Sequence, residues 1–109
     1  MNISIITFTE NGTKLAEKIR QAFVNTKTEE AKNLGLSLSD WTRQQFAEKN
    51  AIVVIGACGI AVRMIAPFVS DKLSDSPVVV ADEAGTFVIP LLSGHVGGAN
   101  ELAEQIAGQ

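Results

Sequence analysis

A chain of 109 residues, 46% hydrophobic and 19% charged, is long enough for one packed core and too apolar for intrinsic disorder. Its net charge of −3 gives no basic footprint for nucleic acid, and its single cysteine, Cys58, excludes an internal disulfide and a multi-cysteine metal site. No apolar run approaches the roughly 20 residues that span a bilayer, and the opening MNISIITFTENG lacks a basic signal-peptide start, so the expectation is a reduced, cytoplasmic protein with no membrane or nucleic-acid partner.

The first element, residues 3–8 (ISIITF), reads as a buried strand. Thr9, Asn11 and Gly12 supply turn and N-cap chemistry. Leu15, Ile19, Ala22 and Phe23 then fall on one face of a helix over 12–24. Residues 25–36 are polar and weakly patterned; a short edge strand fits there, but no pattern in the sequence shows it. Ser37 with Asp40 has capping-box spacing, which opens a helix over 39–49 with Trp41 and Phe46 as anchors. Ala51–Ile55 is unbroken apolar sequence, the mark of a central strand covered on both faces. Residues 60–66 predict a helix whose only charge is Arg63, ended or kinked by Pro67. Val78–Ala81 and residues 86–91 form a hairpin around the loop 82–85. A last helix opens from residues 93–98 and carries Val96, Ala99, Leu102, Ala103 and Ile106 at helical spacing. The fold class is therefore α/β, with a mainly parallel central sheet flanked by helices and a hairpin over 78–91. Residues 1–109 make one such domain. The final helix ends at the last residues without a further strand, so the chain is expected to be the amino-terminal part of something longer.

Two constellations carry chemistry. The first is Gly56-Ala57-Cys58-Gly59 leading to Arg63, a strand, a glycine turn and a helix start. Glycines there serve the turn or let a ligand approach, and helix N-termini attract anions. Arg63 on an apolar helix needs a partner: Asp82 or Glu101 within the chain, or an acidic ligand. The second is Ser93-Gly94-His95-Val96-Gly97-Gly98-Ala99-Asn100-Glu101, where three glycines surround the only histidine. His95 titrates near neutrality and suits general acid–base work or a capping role. Asp82 and Glu83 orient His95, bind substrate or are simply solvated. Cys58 reads as a turn residue more readily than as a nucleophile. Both turns follow strands and precede helices, so a cleft shared between them is expected at one edge of the sheet. The apolar helix is expected to leave part of residues 60–69 uncovered.

The segments GACGIAVR (56–63), IAP (65–67), DK (71–72), SDSPVVV (74–80) and LLSGHVGGANELA (91–103) occur in one order. This set resembles the amino-terminal region of the CbiG family of cobalamin-biosynthesis proteins. The resemblance is close over about residues 51–107 and loose over 1–49. Cys58 stands where such sequences commonly carry threonine. The resemblance implies a cobalt-precorrin-5A hydrolase of anaerobic vitamin B12 synthesis. Such an enzyme opens the substrate's δ-lactone with water and releases acetaldehyde to give cobalt-precorrin-5B. Cobalt travels in the substrate, so neither a cofactor nor a metal site is implied for the protein. The implied partners are the cobalt-tetrapyrrole substrate and a separate carboxy-terminal domain, and the apolar helix adds a homodimer. Residue chemistry then suggests roles. His95 activates water or shuttles a proton, with Asp82 or Glu101 orienting it. Amides at Gly94, Gly97 and Gly98 hold the developing oxyanion. Arg63 and Lys72 anchor substrate carboxylates, and Gly56, Gly59, Ser93 and Asn100 line the macrocycle. Two alternatives are a non-catalytic tetrapyrrole-binding domain and a nucleotide-binding module. The second lacks both G-x-x-x-x-G-K-[ST] and G-x-G-x-x-G.

Overall fold

Five strands form one sheet in the computed structural model, which describes residues 1–71, 73–94 and 98–109. They are β1 (Ile3–Thr7), β2 (Thr26–Glu30), β3 (Ala51–Ile55), β4 (Val78–Ala81) and β5 (Val88–Leu92). Their spatial order is β2-β1-β3-β4-β5. The pairs β1–β2, β1–β3 and β3–β4 are parallel, and β4–β5 is antiparallel. The helices are α1 (Glu10–Ala22), α2 (Leu38–Glu48), α3 (Cys58–Ile65) and α4 (Ala99–Ala107).

The sheet lies between two helical layers. Ile3, Ile5, Val53, Ile55 and Val79 face α1 and α4, meeting Ala16, Ile19, Leu102 and Ile106. Ile6, Ile52, Val54, Val78 and Val80 face the other way, onto Trp41 of α2 and Ala61, Met64 and Ile65 of α3. Covering on both faces explains why AIVVI shows no alternation. The α/β class, the mainly parallel sheet and the hairpin are as the sequence predicts.

Local chemistry sets the helix starts. The Thr9 hydroxyl accepts from the Gly12 amide at 3.0 Å and caps α1. The Ser37 hydroxyl accepts from the Asp40 amide at 3.0 Å and caps α2. The buried stripe of α1 is Gly12, Ala16 and Ile19, with Leu15 and Phe23 half-buried, while Ala22 is exposed. The predicted face was thus rotated toward solvent at its far end. Helix α3 ends at Ile65, and Pro67 sits in the 3-10 turn Ala66–Phe68 that follows. Ile60 and Val62 of α3 are 38% and 46% exposed, and Val69 is exposed too, so the expected uncovered apolar surface is present.

The edge strand that residues 25–36 leave room for is present, though no pattern marks it. β2 lies within residues 25–36 and pairs with β1 from Ile3↔Thr26 to Thr7↔Glu30. It is an edge strand, where charged side chains blunt unwanted pairing, so TKTEE lacks an apolar signature. The opposite edge, β5, carries Pro90 beside an irregularity in the ladder, where a missing amide costs least.

Parallel strands give the sheet a carboxyl edge and an amino edge. Thr7, Glu30, Ile55 and Ala81 end their strands at the first, and Ile3, Thr26, Ala51 and Val78 begin theirs at the second. β5 runs the other way. Its first residue, Val88, pairs with Ala81 and its last, Leu92, pairs with Val78.

Candidate functional site

The Gly56 turn lies at the carboxyl edge. β2 and β3 flank β1 there, the kind of switch point at which open α/β sheets hold ligands. The Gly56 amide donates to the Ala81 carbonyl at 2.9 Å. A Cβ on Gly56 would stand 3.1 Å from the Phe8 ring, so that glycine is needed for close packing of Phe8. Gly59 has open space where its Cβ would be. No side chain caps the start of α3, and Cys58 there is exposed. The turn at 82–87 closes over the same edge. The Asp82 carboxylate accepts from the Phe87 amide at 2.7 Å, and Glu83 accepts from the Thr9 hydroxyl at 2.5 Å.

The second glycine turn begins at the amino edge. Ser93 follows Leu92, which pairs with the first residue of β4. The Ser93 carbonyl accepts from the Ala99 amide at 3.1 Å, and the Gly94 carbonyl from the Asn100 amide at 2.9 Å, so both are bound to the first turn of α4. Gly94 admits no Cβ without displacing Asn100, whose side-chain oxygen would be 2.7 Å away. Gly98 caps α4 in the left-handed region, with φ 92°. Glu101 is exposed and, with Gly98, Met1 and Phe23, lines a cavity of about 290 Å³. Lys72, His95 and Gly97 lie outside the described residues.

The shared cleft is therefore corrected. Gly56, Gly59 and Asp82 gather at the carboxyl edge, whereas Ser93, Gly94, Gly98, Asn100 and Glu101 gather at the amino edge. The cause is the antiparallel run of β5. Arg63 belongs to neither group. It is exposed on α3, where it borders a cavity of about 250 Å³ with Leu38, Ser39, Ile60 and Met64. The ion pairs among the described residues, Arg20–Glu17 and Arg43–Asp40, do not include it. The hydrogen-bonded Arg20 guanidinium holds the Glu17 carboxyl below its usual range, on the solvent face of α1. Among the described residues no three His, Cys, Asp or Glu side chains gather as metal ligands.

The sequence reading missed two polar groups at the amino edge. The buried Gln45 side-chain oxygen accepts from the Ser4 hydroxyl at 2.7 Å and from the Asn50 side-chain amide at 2.8 Å, joining α2 to β1 and to the start of β3. The buried Asp75 organises the loop before β4. Its signal was available in the sequence, as an aspartate between two serines and just before a proline, the composition of a side-chain-stabilised turn.

Comparison with known proteins accords with this architecture. The pattern of the family described as "Cobalamin synthesis G N-terminal" matches residues 40–109. A cobalt-precorrin-5A hydrolase of Salmonella typhimurium strain LT2 is 41% identical over 114 residues, covering 98% of this chain and 32% of that protein. One from Priestia megaterium is 48% identical over 62 residues, covering 57% of this chain and 17% of that protein. A crystal structure of a cobalamin biosynthesis protein G homolog from Sulfolobus solfataricus has a TM-score of 0.73 at 25% identity, covering 98% of this chain and 33% of that one. The chain spans about a third or less of the length of these relatives. Both glycine turns, the Asp75 loop and α4 fall within the family match, and the chain belongs to the cobalamin synthesis G N-terminal family.

Proposed function

We propose that these 109 residues serve as the amino-terminal part of a cobalt-precorrin-5A hydrolase, acting on a cobalt-tetrapyrrole in the cytoplasm. The carrying observation is the 41% identity to the Salmonella hydrolase along 98% of the chain. In this reading, water adds to the lactone carbonyl of the substrate and the ring opens. The two-carbon fragment then leaves as acetaldehyde. His95 takes the proton from water, and Glu101 on the first turn of α4 orients it. Glu101 is preferred to Asp82 for this role because the Asp82 carboxylate accepts from the Phe87 amide at the other edge. Amides of the Gly94–Gly98 segment stabilise the oxyanion, an arrangement most effective where water is excluded. Lys72 and the exposed Arg63 bind carboxylates on the rim of the macrocycle. Cobalt enters and leaves with the substrate. The exposed Ile60 and Val62 of α3 suit cover by the remainder of a longer protein or by a second copy of the chain.

The test uses the whole natural polypeptide that carries these residues, with acetaldehyde release as the rate and the corrinoid spectrum as the measure of binding. His95→Ala lowers turnover by about a hundred- to ten-thousand-fold and changes affinity little, because a general base acts mainly in the transition state. Arg63→Ala instead weakens binding, since a carboxylate contact exists in both ground and transition states. Undiminished turnover in His95→Ala would make that histidine a capping group and move the base elsewhere.

A further inference from the structure

Two connections far apart in sequence meet at the amino edge, and one residue joins them. Asp75 is 8% exposed. Its two carboxylate oxygens accept from the Ser70 amide at 3.1 and 3.0 Å, and also from the Ser70 hydroxyl at 3.3 Å and the Asp71 amide at 3.2 Å. These bonds tie Ser70 and Asp71 to Asp75. They leave the Asp75 carbonyl directed at Ser93, whose hydroxyl donates to it at 3.0 Å. Ser93 in turn accepts the Ala99 amide and so fixes the start of α4. A continuous path of bonds runs from the 70–75 loop through Asp75 and Ser93 into α4.

Ser93 itself is informative. Its φ is 56°, in the left-handed region that a serine occupies at some cost and a glycine freely. The segment is rich in glycine, yet a serine stands at the position where glycine would fit best. What serine adds is the hydroxyl, and the hydroxyl is bound to Asp75. Strain of this kind persists where neighbouring structure enforces it, often at functional sites.

We propose that Asp75 is a positioning residue of the hydrolase. It ties Ser70 and Asp71 to the Ser93 turn, the stretches beside Lys72 and His95 in the sequence. This rests on the hydrolase reading above, and Asp75 acts through those neighbours without touching substrate. The Ser93 hydroxyl proton is then committed to this joint, which changes the expected role of Ser93 from macrocycle contact to support.

Ser93→Gly separates positioning from folding, because it deletes the hydroxyl while relieving the backbone. In the whole polypeptide, Ser93→Gly is expected to keep or raise the melting temperature and to lower kcat by about ten- to a hundredfold, the cost of small misplacements near reacting groups. KM changes little. Asp75→Asn lowers kcat in the same direction. Amide hydrogen exchange at Ser70 and Asp71 accelerates in Ser93→Gly while β1 and β3 stay protected. A purely structural joint would instead lower the melting temperature and leave kcat intact. Wild-type kcat in both variants, or unaltered exchange at Ser70 and Asp71 in Ser93→Gly, overturns the assignment alone. A wild-type protein that releases no acetaldehyde overturns the hydrolase reading, and the assignment falls with it.

Discussion

The carboxyl and amino edges of this sheet carry the same local grammar to different ends. At the first, β3 gives way to Gly56 and α3 starts at Cys58; at the second, β5 gives way to Ser93 and α4 starts at Ala99. Read along the chain, each is a strand, a glycine turn and a helix. In space they are separated by the length of β4, roughly 10 Å at the usual strand rise, because Gly56 bonds to Ala81 and Leu92 pairs with Val78. A strand–turn–helix motif locates a site only when the direction of its strand is known. The hairpin over 78–91 and a cleft shared by both turns are incompatible expectations, since the hairpin reverses the chain before the second turn begins.

Gly94 of one edge and Gly59 of the other differ in how much space surrounds them, and substitution can expose this. Gly94→Ala puts a methyl 2.7 Å from the Asn100 side-chain oxygen, in the turn whose carbonyl receives the Asn100 amide. The far end of the Asn100 side chain must swing aside, at a cost of roughly 0.5–1.5 kcal/mol for a side chain pushed off its rotamer. Urea denaturation should show that cost, with turnover falling beyond what the folded fraction explains. An unchanged midpoint and rate would mean that Gly94 is as open as Gly59, and the contrast would vanish.

Legibility in the sequence followed the same physical lines. β3 was clear because both faces are buried, so every residue of AIVVI is apolar. The caps at Thr9 and Ser37 were clear because capping is local chemistry. β2 was hidden because an edge strand is free to be TKTEE. The site was legible only in part. Ser93, Gly94, Gly98, Asn100 and Glu101 fall within nine residues and are necessarily near one another, whereas their separation from Gly56 and Asp82 depends on strand order and direction, which no local pattern contains. The turn around Asp75 was legible in its composition, but its importance was not, since that lies in a hydroxyl 18 residues further along the chain.

Gly59→Ala probes the carboxyl edge at its open position. Nothing stands within 4 Å of the added methyl, and the residue lies in the first turn of α3. Alanine is the better helix former, so stability should rise by up to about 1 kcal/mol. Thermal unfolding reads this directly, opposite in sign to Gly94→Ala. If corrinoid affinity falls while stability rises, the open space over α3 is occupied by substrate, and the carboxyl edge gains a binding role that the amino edge does not share.

The smallest expected effect is the sharpest test of separation. Asp82 holds the Phe87 amide at 2.7 Å, and asparagine keeps an oxygen in that position. Asp82→Asn therefore exchanges a charged acceptor for a neutral one in an exposed turn, a loss of about 0.5 kcal/mol or less. Its effect on acetaldehyde release should be negligible, because the carboxylate stands at the far end of β4 from Ser93 and Gly94. The informative comparison is with His95→Ala in the same assay. If Asp82→Asn also lost a hundredfold in turnover while its melting temperature held, the two edges would be acting on one reaction. The substrate would then have to reach around the sheet, or another part of the protein would have to bridge the edges, and the division drawn from β5 would no longer describe the site.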